Sequence, residues 1–537
     1  MLGLPVGAIA IESIAPKNDV DVEEPPISLE EKKAEAERTL RQGVQKYEDK
    51  QFKEALRLFQ TSLQLFQYLG DSKKAVVSLN YIGVVYAAQG KYSQALSAYQ
   101  EALSSSQAIE DRRSEGNILS NMASAYRKQG QDDLALEQYA TALGIHREVG
   151  NHIGEGDTLN GIGLLLYRRG NYGEALKYYV EALDVYREIK NQSGQGTIFN
   201  NIAEVLNAQG EYDKALDYYL LALSYSYEAR DADGVATALN NIGTIHSRQG
   251  NYEQALKQFR AALAFRRRMN DRAGAANVLN NIGWINLLQR EYGAALKQYQ
   301  SALEIHREVN DRTGEGRSLT MLGALYLSQG EYDEALIQLE SALEVYREIN
   351  NHREEGLVLF IVGLLHFNQQ DFKLAERSFL ESLVISEAIE ENLLPSDTTR
   401  ITFFETQASR YLLLEQAYTE QNNFKKALEI ADRSRARSLV QFLNPSLDGQ
   451  PPTPLNIDQI KQLARSKNAT LVTYSILGTD LYIWVVSPDG QLNSVRADPE
   501  AAGIPFQEIT GSIRRTATDP FDFSGFFGQE EFLALQD

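Results

Sequence analysis

Apolar residues recur along this chain at helical spacing, in paired bursts that return every forty residues. In one burst Leu79, Ile82 and Tyr86 fall on one side of a helix, and in the next Ala95, Tyr99, Ala102 and Leu103 do the same. Two amphipathic helices per row are predicted, and the rows align without a gap from about Gln51 to Glu390. Gly90, Gly130, Gly170, Gly210, Gly250 and Gly330 share a column, with Arg290 and Gln370 as exceptions. A left-handed residue is needed where the first helix of each row stops, and glycine adopts it at little cost. Two positions on stands an aromatic, from Phe52 and Tyr92 to Tyr332 and Phe372, broken only by Asp132. An alanine follows in every row, from Ala55 to Ala375, small enough to let paired helices approach closely. Polar stretches beginning Asp71, Asp111, Asn151, Asn191, Asp231, Asp271, Asp311 and Asn351 separate the rows as turns.

This sequence of a leucine, a small residue, a tyrosine, then an alanine, an aromatic and an alanine, as in Leu239, Gly243, Ala255, Phe259 and Ala262, resembles the tetratricopeptide repeat (TPR). Its forty-residue period is similar to that of the kinesin light chain. The resemblance covers nine rows from about Ala34 to Glu390, and Ser28 with Glu31 makes a capping box for the leading helix. It implies an all-α fold, a right-handed α-solenoid of helix pairs, whose inner surface is free to bind. A looser tenth pair spans about Thr399 to Asn444, where Phe424, Ala427 and Leu428 echo the pattern.

A second set of columns is not required by packing. Asn80, Asn160, Asn200, Asn240 and Asn280 repeat at one position, and Asn121, Asn201, Asn241 and Asn281 at the next. By resemblance to TPR proteins both columns point into the concave groove. An amide carries donors and an acceptor together, so a ladder of amides can pair with the peptide groups of an extended chain. The alternative is that these asparagines bond between neighbouring helices and hold the stack together. Lys128, Arg168 and Arg248 share a further column on the same helix. A basic spot there favours an acidic ligand segment or a C-terminal carboxylate; the alternative is solvated surface charge.

Composition narrows the function classes. The net charge of −20 disfavours nucleic acid and anionic lipid as partners. With no cysteine, disulfides, thiolate metal sites and thiol nucleophiles are all excluded within this sequence. The histidines, His146, His152, His246, His306, His352 and His366, are not paired at metal-ligand spacing and read as ordinary helix or turn residues. No motif implies a cofactor, no apolar run is long enough for a transmembrane segment, and the oligomeric state is left open. Leu2 to Ile11 is a short apolar start without a charged leader, read as a disordered tail or a clipped export signal. The expected location is cytoplasmic, or exported if that signal is real.

After Asn444 the proline-rich stretch from Pro445 to Pro454 breaks the helical pattern. A short helix near Ile457 to Ala464 leads to two apolar strands, Ala469 to Leu477 and Leu481 to Val486, with a turn at Gly478 to Asp480 and a third strand near Leu492 to Val495. Strands apolar on both faces call for more cover than this small, incomplete α/β segment supplies, and Phe521, Phe523, Phe526, Phe527 and Phe532 crowd the tail. Ala431 to Leu439, Thr470 to Tyr474 and Leu481 to Val486 resemble the opening of the CHAT domain, a caspase-like fold that follows TPR arrays in many bacterial proteins. Complete members imply a histidine and a cysteine further along, and neither maps onto this chain.

The organisation expected is a tail over 1–27, nine repeats over 28–390, a degenerate tenth pair over 391–444, a linker over 445–455 and a partial α/β domain over 456–537. The function expected is a non-enzymatic protein-protein interaction scaffold that binds a protein or peptide ligand in its concave groove. The competing expectation is the sensor half of a TPR-CHAT cysteine peptidase whose catalytic part lies outside this chain.

Overall fold

The computed structural model describes residues 28–391, 397–443, 455–477 and 480–497. The expected tail over 1–27, most of the proline-rich linker, the turn residues 478–479 and the phenylalanine cluster near the end lie outside the described residues. The chain divides into two compact units between Ala125 and Tyr126.

Within the first unit α1 (Leu29–Glu48) pairs with α2 (Phe52–Tyr68) and α3 (Ser72–Ala88) with α4 (Tyr92–Ala108). The boundary falls inside α5 (Arg112–Lys128). The second unit continues with α6 (Asp132–Glu148), α7 (His152–Arg168), α8 (Tyr172–Glu188), α9 (Gln192–Ala208) and α10 (Tyr212–Glu228). Then come α11 (Ala232–Arg248), α12 (Tyr252–Arg268), α13 (Arg272–Leu288), α14 (Tyr292–Glu308), α15 (Arg312–Ser328) and α16 (Tyr332–Glu348). The last pairs are α17 (His352–Asn368) with α18 (Phe372–Glu391) and α19 (Asp397–Glu420) with α20 (Phe424–Leu443). The architecture is the expected all-α solenoid of helix pairs, each packed chiefly on its neighbours in sequence.

Each repeat is punctuated by the same local chemistry. Asp71, Asn151, Asn191, Asp231, Asp271, Asp311 and Asn351 accept a hydrogen bond from the backbone N–H three residues on, so the polar turns of the sequence are N-caps of the odd-numbered helices. Those helices end where the glycine column takes positive φ, 73° at Gly90 and 75° at Gly330. Arg290 and Gln370 adopt the same conformation, φ 59° and 61°, without the glycine that suits it.

The core explains the small residues. On α4, α8, α12 and α18 an aromatic side chain, Tyr99, Tyr179, Phe259 or Phe379, is almost fully buried against a glycine of the partner helix, whereas α10 sets Tyr219 beside Ala203 and α16 carries Leu339 against Gly323. A Cβ added at Gly163 would stand 2.4 Å from the Tyr179 ring, and one at Gly363 would stand 2.4 Å from Phe379. Ala95, Ala135, Ala175 and their equivalents are fully buried at the same crossing.

After the last pair come α21 (Ile457–Lys467) and an antiparallel meander β1 (Leu471–Leu477), β2 (Asp480–Val486) and β3 (Leu492–Ala497). Trp484 faces Thr473 on one side and Ser494 on the other in the ladder. One face of the sheet buries Tyr482, Trp484 and Val486 in a core shared with α20 and α21. The other leaves Val472 and Val495 more than half exposed. Helix α21 is longer at its C-terminal end than its sequence pattern indicates, because Asn468 closes it in a left-handed cap.

Candidate functional site

The asparagine columns lie on the odd-numbered helices, and the structure joins them across repeats. In the first unit Asn121 donates from Nδ2 to Oδ1 of Asn80 at 3.0 Å. In the second unit Asn201 donates to Asn160 at 2.7 Å, Asn241 to Asn200 at 2.9 Å and Asn281 to Asn240 at 2.8 Å. Within a helix Asn240 donates to Asn241 at 3.3 Å, and Asn200 reaches Asn201 at 3.5 Å. The result is a one-directional relay from Asn281 through Asn240, Asn241, Asn200 and Asn201 to Asn160. Asn280 lies off this relay, nearly sealed and donating to Ser318 Oγ at 3.0 Å.

These inter-repeat bonds do not exhaust the amides. Each asparagine side chain has two N–H donors and two lone pairs. Asn240 uses one of each, Asn160 accepts one bond, and Asn281 donates one. All three are half-buried, as are Asn80, Asn121, Asn200 and Asn241, whereas Asn201 and Asn280 are buried. The site therefore keeps spare donors and acceptors on an accessible face.

One turn along α9 from Asn200, Glu204 accepts from Asn200 Nδ2 at 3.2 Å and is also bonded by Asn241. Burial pushes its carboxyl pKa up, and the two amide bonds offset this only in part. The tyrosines Tyr167, Tyr179 and Tyr219 are near enough for the Glu204 charge to oppose their ionisation, although desolvation is the larger cause of their raised pKa values. Glu204 was not singled out in the sequence. Its signal there is that it is the one ionisable residue in the column Val84, Ser124, Leu164, Glu204, Thr244, Trp284, Ala324 and Leu364.

The basic column is held unevenly. Arg168 donates to the Arg127 carbonyl at the end of α5 and lies 3.9 Å from Asp132. The Arg248 guanidinium sits 5.7 Å over the Tyr212 ring and 3.4 Å from its hydroxyl. Lys128 has no bonded partner among the described residues; its pKa is pushed down by desolvation first, then by Arg127 and Arg168. These cations stand two helical turns, ~12 Å, beyond the first asparagine column on the same helix face.

Two of the histidines serve local turns: His146 Nδ1 lies 3.0 Å from Asn151 Nδ2, and His306 Nδ1 lies 3.0 Å from Asp311 Oδ2. Among the described residues no group of three His, Asp or Glu side chains could hold a metal, and no helix is long and apolar enough to cross a membrane.

Comparison with known proteins gives one consistent pattern. A family model described as a tetratricopeptide repeat matches residues 35–108, 114–188, 194–268, 234–308 and 274–348, and a second of the same description matches 320–388. Tetratricopeptide repeat protein 28 of Mus musculus and that of Homo sapiens are each 25% identical over 118 residues, which is 21% of this chain. The aligned part spans 5% of the length of those curated relatives. Among solved structures, a Rap protein complexed with Competence and Sporulation Factor aligns with TM-score 0.43 and 16% identity over 68% of this chain and 99% of that one. The apo form of the quorum sensor NprR from B. thuringiensis aligns with TM-score 0.41 and 16% identity over the same shares.

Proposed function

Because the chain belongs to the tetratricopeptide repeat family, we propose that this protein-interaction scaffold grips an extended segment of a partner protein on the asparagine-lined side of its odd-numbered helices. The observation that carries the reading is the spare capacity of Asn160, Asn240 and Asn281: each is half-buried and keeps a free N–H and a free lone pair after its inter-repeat bond. One donor and one acceptor are what a peptide group needs from its reader. A preformed relay also fixes the amides before the ligand arrives, which lowers the entropy lost on binding. Packing alone does not call for amides here, since the positions equivalent to Asn200 and Asn241 in later repeats are Thr320 and Ile361, both buried. Lys128, Arg168 and Arg248 extend the same face and favour an acidic stretch or a terminal carboxylate in the ligand.

The test uses random dodecapeptides displayed on phage and panned against the full chain. Wild type is expected to enrich a consensus, and the synthetic consensus peptide should bind it measurably. The double variant Asn240→Thr, Asn281→Ile copies Thr320 and Ile361 of the later repeats; it should bind at least ~10-fold more weakly, since each lost hydrogen bond is worth about 1 kcal/mol. Its far-ultraviolet circular dichroism should match wild type. Unchanged affinity sinks the reading.

A second reading follows from the stretches that resemble the opening of a CHAT domain and fold here as α20, β1 and β2. In it the array is the sensing half of a peptidase completed by another polypeptide or by further sequence. A histidine and cysteine encoded directly downstream in CHAT-like context would favour it.

A further inference from the structure

Beside the relay stands a carboxylate that no cation among the described residues neutralises. Glu204 receives hydrogen bonds from Asn200 and Asn241, both uncharged, and takes part in no ion pair among the described residues. It is only partly exposed and largely surrounded by protein, so it has lost most of its water without gaining a cation. An ionised carboxylate in that position is costly to the folded state unless a positive group joins it. Arg248, on the neighbouring odd-numbered helix, is held on Tyr212. A further polar group close by is unmet, for the Tyr179 hydroxyl is buried with no hydrogen-bond partner and its ionisation is opposed by Glu204.

We propose that Glu204 is a cation-accepting subsite in the binding face, taking the ammonium or guanidinium of a Lys or Arg side chain carried by the bound segment. The position fits the geometry of the proposed grip and rests on that reading. Glu204 lies one turn from Asn200 and is bonded by Asn241, so a chain paired with this stretch of the relay passes over the carboxylate. A basic side chain projecting from that chain replaces the missing cation, and the phenols of Tyr167, Tyr179 and Tyr219 supply a low-dielectric wall in which the pair is strengthened. The ligand is then mixed in charge, basic opposite α9 and acidic toward Lys128, Arg168 and Arg248. That pattern discriminates against uniformly acidic or uniformly basic segments, each of which leaves one subsite repelled.

Panning the dodecapeptide library on wild type and on Glu204→Gln tests this. The expected result is a wild-type consensus with Lys or Arg at one fixed position, a preference that disappears on Glu204→Gln. The variant changes the net charge by one unit out of −20, so loss of a positional preference reports a local contact rather than the general acidity of the surface. A synthetic consensus peptide with arginine at that position should bind wild type at least ~10-fold more tightly than its citrulline counterpart, and Glu204→Gln should bind the two equally. A wild-type consensus with no basic position, or a basic preference that survives in Glu204→Gln, overturns the subsite and leaves the groove reading intact. Failure of wild type to enrich any consensus overturns both.

Discussion

Helices α9 and α17 occupy the same place in their repeats and present opposite surfaces. On α9 the two inward columns carry Asn200 and Asn201, with Glu204 one turn on, and Asn200 and Glu204 are half-buried. On α17 they carry Phe360 and Ile361, both nearly fully buried, with the guanidinium of Arg410 stacked 5.2 Å over the Phe360 ring. Every residue of α17 from Glu355 to Gly363 is buried. The flanking packing is nonetheless the same, for α9 buries Ala203 where α17 buries Gly363, and each faces the aromatic of its partner helix. The lesson is that the repeat specifies its stacking through one set of positions and leaves the asparagine columns free to vary. Near α17 they are used as core; around α9 they are kept polar and bonded from repeat to repeat.

The shared skeleton should break equally in both regions, and this is the largest effect expected. Gly163→Val and Gly363→Val each drive a side chain into an aromatic ring that lies 2.4 Å from the added Cβ. Each is expected to cost about 3 kcal/mol, read as a lower urea midpoint and faster limited proteolysis. A much smaller cost at one of them would mean that the helix pairs of that region are already loosely packed.

Exchanging the variable columns should be asymmetric. Placing amides on the apolar side, Thr320→Asn with Ile361→Asn, buries polar groups among residues that offer few partners and is expected to destabilise by ~2 kcal/mol. The reverse exchange, Asn240→Thr with Asn281→Ile, removes both partners of their bond together and should change stability by less than ~1 kcal/mol. Equal and large losses in both directions would show that the amides are structural after all.

Much of this was written in the chain. The forty-residue period, the capping Asp and Asn residues and the glycine terminators all act within a few residues, so their chemistry is local and periodic. Alanines such as Ala95 and Ala175 are legible for the same reason, since a helix crossing at each repeat stamps a small residue at each repeat. The asparagine columns were visible, but their bonds were not. Asn200 and Asn241 could equally have faced a ligand or each other, and only coordinates give the direction of the relay and its unused donors. Asn280 bonds Ser318 instead, and the position where an asparagine would have continued the pattern is Met321. Glu204 escaped notice because it occurs once.

Charge on the polar side gives a prediction of opposite sign to most substitutions. Burial raises the Glu204 pKa above its ordinary value near 4.5, so the folded state holds the proton more tightly than the unfolded chain does. Ionised Glu204 therefore weakens the fold above its folded-state pKa, and that penalty fades as pH falls through this value and is gone below the unfolded one. Glu204→Gln is expected to melt ~1 to 2 °C higher than wild type at pH 7.5, with the difference closing toward pH 4. A difference that is constant with pH, or that widens in acid, would exclude the desolvated carboxylate as its source.

The smallest effect separates backbone from surface. Arg290 ends α13, within the amide-bearing stretch, and Gln370 ends α17, within the apolar one; both sit at φ near 60°, where the other repeats have glycine. Neither side chain makes a hydrogen bond or ion pair among the described residues, so replacing it loses little. Relief of left-handed strain favours glycine by roughly 1 kcal/mol, and the added freedom of the unfolded chain takes back part of that. Arg290→Gly and Gln370→Gly should each raise stability by ~0.5 kcal/mol, by the same amount within error, measured as paired shifts in urea midpoint. Equality would follow from a terminator that senses only its own backbone, whatever lines the helix it closes. A gain at one site and a loss at the other would mean that the two kinds of repeat differ in their turns as well as in their inward columns, and the comparison of α9 with α17 would then have to be drawn between whole repeats rather than between two positions on a helix.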